Sequence, residues 1–223
     1  MASTTPIRWG GLAAMFGSLI GLLLAPIITS AYSLLEDGGG QTPPWEPALG
    51  ALLGPLFAFA SPAVVYTTYG KLYLLVFLGF LLGLVALRAR RSAHAGRLEQ
   101  WGYRLSLAGL ALNLLGNIGD YWYRGGLGDS GVDTLGFLLG TVLGLLLLVA
   151  GSALLGIGLL RTGTAPRLGA WLLVLALPGI ALLTLLGFGN APSGPALWFC
   201  FAWLVLGWSL WSSRTKRFAN PPA

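Results

Sequence analysis

Four polar residues interrupt an otherwise apolar stretch, NLLGNIGDYWYRG, at residues 113–125. They are spaced by four, three and four positions, so a helix places all of them on one stripe. These residues are Asn113, Asn117, Asp120 and Arg124. Two amides, a carboxylate and a guanidinium on one helix face could bind an ion or a small polar solute, or bond to neighbouring helices.

Depth in a membrane makes this stripe informative. If the helix enters the bilayer near Tyr103, Asn113 lies about 15 Å deep, close to the centre of the bilayer, and Asp120 lies about 10 Å further along. Burying an amide in hydrocarbon without a partner costs several kcal/mol, so the asparagines must face protein or water. Lys71 lies near the end of the preceding apolar run that is on the same side of the membrane as Asp120. The two residues could therefore pair.

Two interpretations of the stripe follow. In the first, the asparagines bond to neighbouring helices and fix their register, while Asp120 and Arg124 form an exposed pair among aromatic residues at the interface. In the second, the stripe lines a polar cavity that is open to the outside, and Asp120 faces an ion or a solute. The sequence leaves both interpretations open.

The composition of the chain indicates that this stripe lies within a membrane protein. Of the 223 residues, 56% are hydrophobic and only 9% are charged, against about 25% charged in an ordinary soluble domain. Apolar runs of about 20 residues, the length that crosses the hydrocarbon core as a helix, recur along the chain. The sequence therefore excludes a water-soluble fold and predicts an all-α integral membrane protein with one transmembrane domain, 1–223, and no soluble domain.

Six transmembrane helices are predicted, and the short loops between them favour three antiparallel hairpins. The predicted spans are 9–32, 64–87, 103–123, 134–160, 170–188 and 196–211. The apolar region 47–62 is short and carries two prolines, so we expect an interfacial or re-entrant segment there; a seventh span is the alternative.

The distribution of charge favours six spans. With six, all but two of the 13 Lys and Arg residues fall on one side of the membrane, with Glu99 as the only acid there, whereas Lys71 and Arg124 fall on the other side with the remaining acids. Lys and Arg are enriched in cytoplasmic loops, so both termini are predicted to be cytoplasmic.

The net charge of +6 is then mainly a signal of topology, with attraction to anionic lipid headgroups added, and nucleic-acid binding is not expected. The residues predicted to contact anionic lipids are Arg88, Arg90, Arg91, Arg214, Lys216 and Arg217. Membrane lipids are accordingly one class of expected partner.

Glycines at four-residue spacing mark predicted faces of close helix packing, because a backbone without side chains can approach another helix. The glycines concerned are Gly136, Gly140 and Gly144, Gly17 and Gly21, and Gly79 and Gly83. Packing within the chain is the first expectation, and a homo-oligomer interface is the alternative. Pro26 and Pro178, which lie inside predicted spans, should kink or locally open their helices.

Few residues suit catalysis. His94, the only histidine, lies in a basic loop, and Cys200, the only cysteine, lies in an apolar run, so no haem site, metal site or disulfide is expected. The chain has no glycine-rich phosphate loop followed by Lys-Ser or Lys-Thr, and no carboxylate pair within the predicted spans. No cofactor is predicted, and an intramembrane enzyme is the least favoured class.

Two functional classes remain. The favoured one is a non-catalytic accessory or scaffold subunit that binds another membrane protein, a second copy or lipid through its glycine-rich helix faces. The alternative is a transporter or channel for an ion or small solute that uses the stripe on the third helix. A span ending in LLRTG, a PR start to the next one and Leu/Gly-rich composition resemble small bacterial membrane proteins, which implies a bacterial plasma membrane.

Overall fold

The computed structural model describes residues 5–35, 42–91, 96–123, 131–163, 165–191 and 194–212. All regular structure within these ranges is helical. The α-helices are α1 Thr5–Ser33, α2 Glu46–Phe57, α3 Pro62–Arg91, α4 Arg97–Asn117, α5 Gly131–Gly136, α6 Leu145–Thr162, α7 Arg167–Val174, α8 Ala176–Leu185 and α9 Ala196–Ser212. A short 3₁₀ turn, Phe188–Asn190, follows α8.

Two segments are wound as π-helices. Ile118–Tyr123 continues α4, and Phe137–Gly144 joins α5 to α6. π-Helical turns are rare and often occur at functional sites. Because Gly116, at the end of α4, lies against Gly136 and Gly140, the two π-helical segments flank the same place in the fold.

Three helices are long and apolar enough to cross a membrane: Thr5–Ser33, Pro62–Arg90 and Thr134–Thr162. A fourth span results if α7 and α8, which meet at a bend of 70°, are taken as one broken helix. Helix α9 is apolar but has 17 residues, and α4 contains polar and charged residues. Length and composition within the described residues therefore support an integral membrane protein with three to four spans and do not establish the predicted bundle of six.

The long helices pack in a closed ring. Helix α1 lies between α3 and α9, α3 also contacts α4, and α4 packs along α6. Helix α7 then joins α6 to α9, which completes the circle. Inside this ring the side chains of Phe80 and Trp203 stack with their ring centroids 6.2 Å apart, so the centre at that level is filled by apolar packing.

The two ends of the ring differ in character. At one end, which we call the basic end, Arg8 lies over Trp211 and the Nη1 atom of Arg90 donates to the carbonyl of Ser209 over 3.4 Å. At the other end, the aromatic end, Trp45 stacks on Phe188 with centroids 4.8 Å apart. Helix α2 lies at the aromatic end, and its 12 residues give about 18 Å, too short to cross the hydrocarbon core.

The bend between α7 and α8 has a local cause. Pro178 has no N–H to offer the carbonyl of Val174, so the helix breaks at Leu175. The indole of Trp198 donates to the carbonyl of Leu172 over 2.7 Å, and its ring lies against Gly179, where a Cβ atom would collide with it. Pro26, by contrast, lies inside an uninterrupted α1.

Candidate functional site

The three described residues of the polar stripe face α3 and the π-helical segment Phe137–Gly144. Asn113 and Asn117 are buried and Asp120 is half-buried. All three line a cavity of about 20 Å³, whose other walls are Phe77, Gly116, Tyr121, Gly140 and Thr141. A polar cavity needs about 10–15 Å³ to hold a water molecule, so this one has room for about one water and not for an organic solute.

Both asparagines use their amide hydrogens within the protein. Nδ2 of Asn113 donates to the carbonyl of Gly109, one turn back on α4, over 2.8 Å. Nδ2 of Asn117 donates to the carbonyl of Gly70 on α3 over 3.0 Å, which ties the two helices together. Oδ1 of Asn117, on a side chain only 5% exposed, has no hydrogen-bond partner among the described residues. A water molecule in the cavity would satisfy such an acceptor.

Three tyrosines extend the polar contacts toward the aromatic end. The hydroxyl oxygens of Tyr66 and Tyr121 are 2.9 Å apart and buried, and the Tyr32 ring lies 5.4 Å from the Tyr66 ring. Gly70 makes this arrangement possible, because a Cβ atom there would overlap the Tyr121 ring. This tyrosine cluster, Tyr32, Tyr66 and Tyr121, therefore joins α1, α3 and the π-helical end of α4.

Of the two basic residues predicted at this site, the structure describes one. The ammonium group of Lys71 lies over the ring of Trp122, 5.7 Å from its centroid, a distance at which a cation is attracted to the aromatic face. The pairing of Lys71 with Asp120 stays a prediction. Arg124 lies outside the described residues.

Every glycine singled out for helix packing lies against another helix of the same chain. Gly17 of α1 meets Gly79 of α3, while Gly21 faces the sulfur of Cys200 and Gly83 faces Ala14 and Trp203. The remaining three, Gly136, Gly140 and Gly144, pack against α4 around Gly116 and Asn113. These faces are therefore covered, and a partner protein would have to bind elsewhere.

Sequence reasoning missed the second half of this packing. Gly102, Gly109 and Gly116 recur every seven residues along α4, and each lies against the backbone of the helix opposite, formed by α6 and the π-helical segment before it. Seven residues are close to two helical turns, so the spacing places all three on one face. This seven-residue recurrence is visible in the sequence but differs from the four-residue spacing on which the predicted packing faces were based.

The residues predicted to contact lipid lie partly within the described ranges. The guanidinium of Arg88 lies 5.5 Å from the centroid of the Tyr103 ring, and Arg90 is bonded to α9 as described above. The side chain of Arg91, and the whole of Arg214, Lys216 and Arg217, lie outside the described residues, as does His94. Within the described ranges, no group of three or more His, Cys, Asp or Glu residues is placed to hold a metal ion.

The arrangement has limited chemical capacity. An amide oxygen, a carboxylate and a threonine hydroxyl around a cavity for about one water can hold and orient that water. No protein-family model, curated protein or solved structure matches the chain.

Proposed function

We propose that this chain is a non-catalytic membrane subunit with six spans, sealed to solutes, that binds lipid or another membrane protein on its outer surface. The observation that supports this most directly is the state of the α4 stripe. Its amides bond to backbone carbonyls of α3 and α4, and its cavity of about 20 Å³ has room for about one water.

The six spans would be α1, α3, α4 with its π-helical end, α5–α6, α7–α8 and α9. Two of these helices, α4 and α9, are not identified as spans by their length and apolar composition alone. The 21 residues of α4 extend about 30 Å, and the helix buries its asparagines against protein, so its polar composition does not exclude a bilayer. Helix α9 extends about 25 Å and closes the ring between α1 and α7; local thinning of the bilayer accommodates a short span.

Six spans also place both termini on the same side of the membrane. The basic end carries Arg8 near the start of the described chain, Arg88 and Arg90 at the end of α3, and Ser212 at the end of α9. A cytoplasmic basic end follows the bias of Lys and Arg toward cytoplasmic loops. A bacterial plasma membrane remains the proposed location.

Partner binding would have to use the outer surface of the ring, because the glycine faces are covered. That surface carries large apolar side chains all round, including Phe16 and Leu23 on α1, Leu82 on α3 and Leu115 on α4. Apolar side chains of this kind suit lipid and the apolar faces of neighbouring membrane helices equally.

Flux measurements on reconstituted protein test the sealed bundle. We expect proteoliposomes that contain the full chain to pass sodium, potassium, protons and small neutral solutes no faster than protein-free liposomes. The Asp120→Asn variant is expected to behave identically, because the small cavity beside this half-buried carboxylate offers a solute no path across the bundle. Flux through the wild type that the Asp120→Asn variant reduces would overturn the proposal and favour the transporter or channel.

A further inference from the structure

A second site lies at the basic end, between α1 and α9. Arg8, Leu12, Met15 and Leu19 are spaced by four, three and four residues and so form one stripe of α1. Arg8 and Leu12 line a cavity of about 170 Å³ together with Thr5, Trp9 and Trp211. Met15 and Leu19 line an apolar groove of about 660 Å³ against Leu204, Val205 and Trp208 of α9.

The cavity has one cationic side chain, Arg8, among its lining residues. The guanidinium of Arg8 lies 5.9 Å from the centroid of the Trp211 ring, a distance at which a cation is attracted to the aromatic face without using its hydrogen-bond donors. Arg8 lines this cavity, and the planar set of N–H donors on a guanidinium suits the forked geometry of a phosphate group.

The groove continues the site into the membrane. Along α1, Met15 lies about 10 Å and Leu19 about 16 Å beyond Arg8. Half the thickness of the hydrocarbon core is about 15 Å, so the groove runs from the interface to the middle of the bilayer. Its walls are largely apolar, and Trp208 at its edge is a residue type enriched at membrane interfaces.

We propose that this cavity and groove form a binding site for one anionic phospholipid, with its phosphate on Arg8 and one acyl chain along Met15, Leu19 and Trp208. A charged head beside an apolar groove one leaflet deep is the complement of an anionic lipid. A free phosphate would occupy only the cavity beside Arg8, and a neutral partner helix would occupy only the apolar groove. The proposal rests on the proposed function only in requiring a bilayer around α1 and α9; a sealed bundle is tested separately by flux.

Charge at this end also favours an anion. Arg90 reaches the last turn of α9 at Ser209, so a second guanidinium lies near the groove. Anionic headgroups gain about 1 kcal/mol per Lys or Arg close to a membrane surface, which corresponds to about a fivefold change in affinity.

Native mass spectrometry of the detergent-solubilised full chain, titrated with phosphatidylglycerol or phosphatidylcholine, tests the site. We expect phosphatidylglycerol to bind more tightly than phosphatidylcholine, and Arg8→Gln to weaken phosphatidylglycerol binding at least about fivefold. Arg104→Gln is the matched control, because Arg104 also lies over a tryptophan, Trp101, but lines neither the cavity nor the groove. This control should bind phosphatidylglycerol like the wild type.

A second pair of variants tests the groove without changing Arg8, and therefore does not depend on whether Arg8→Gln folds. Leu19→Trp fills the groove from a side chain that is 48% exposed, and Leu82→Trp makes the same change on the outer face of α3, away from the groove. We expect only Leu19→Trp to reduce phosphatidylglycerol binding. Equal binding of the two lipids, competition by soluble glycerol phosphate, or unchanged binding in both Arg8→Gln and Leu19→Trp would each overturn the proposal.

Discussion

Replacing Gly109 by alanine is expected to lower the free energy of unfolding by about 3 kcal/mol, at the upper end of what an overpacked core costs. A Cβ atom at this position would lie 2.6 Å from the nitrogen of Leu148 and 2.7 Å from the carbonyl oxygen of Gly144. Both atoms belong to the backbone, so no side chain can rotate away. Helices α4 and α6 would have to separate along their whole contact, which Gly102 and Gly116 share.

Gly54→Ala is the matched control for this change. Gly54 also lies inside a helix, α2, but a Cβ atom there would meet nothing within 4 Å. Alanine is the better helix former, so this variant should be as stable as the wild type or more stable by up to about 1 kcal/mol. The change in the free energy of unfolding of both variants, Gly109→Ala and Gly54→Ala, is measured by unfolding each purified protein in a denaturing detergent. If the two variants lose equal stability, the close contact of α4 with α6 is not what holds the bundle together.

Replacing Trp203 by alanine is expected to lower the free energy of unfolding by about 3 kcal/mol. The side chain is only 1% exposed, stacks on Phe80, and lies 3.1 Å from the position that a Cβ atom of Gly83 would occupy. In a bilayer the unfolded helices still lie in hydrocarbon, so the transfer from water contributes little. The cost comes from the cavity that the indole leaves and from its lost dispersion contacts.

Trp101→Ala separates this packing effect from a general effect of losing an indole. Trp101 is 57% exposed at the basic end, where Arg104 lies over its ring, so its removal leaves no cavity and should cost less than about 1 kcal/mol. The same detergent unfolding assay compares the two variants. Equal losses would mean that the centre of the ring is not filled as tightly as the stacked pair of Phe80 and Trp203 indicates.

The sequence predicted the membrane character and the location of most helices because both follow from composition and from runs of apolar residues. The spacing of Asn113, Asn117 and Asp120 predicts one side of a helix without any knowledge of its neighbours, and in the structure the three residues line one cavity. Which surface that side meets depends on the rotation of α4 against α3 and α6. Rotation is set by contacts such as Asn117 to Gly70, which join residues far apart in sequence.

Other features lie beyond the reach of local patterns. The π-helical segments Ile118–Tyr123 and Phe137–Gly144 leave no compositional trace, because they depend on how the two helices meet at Gly116. The break at Leu175 was expected from Pro178, whereas the bend of 70° also depends on Trp198, from another helix. The groove proposed to hold a lipid joins Met15 and Leu19 of α1 to residues of α9 that lie nearly the whole chain length away in sequence.

The sealed bundle is tested by the accessibility of single cysteines at 113, 117 and 120 in a Cys200→Ala background. A membrane-impermeant thiol reagent is applied to both sides of proteoliposomes, with Thr42→Cys, at an exposed position near the aromatic end, as the positive control. For a sealed bundle we expect rapid labelling at 42, slower labelling at 120 and protection at 113 and 117. Labelling at 113 and 117 as fast as at 42 would mean that water fills the α4 stripe to mid-membrane, and would contradict a sealed bundle.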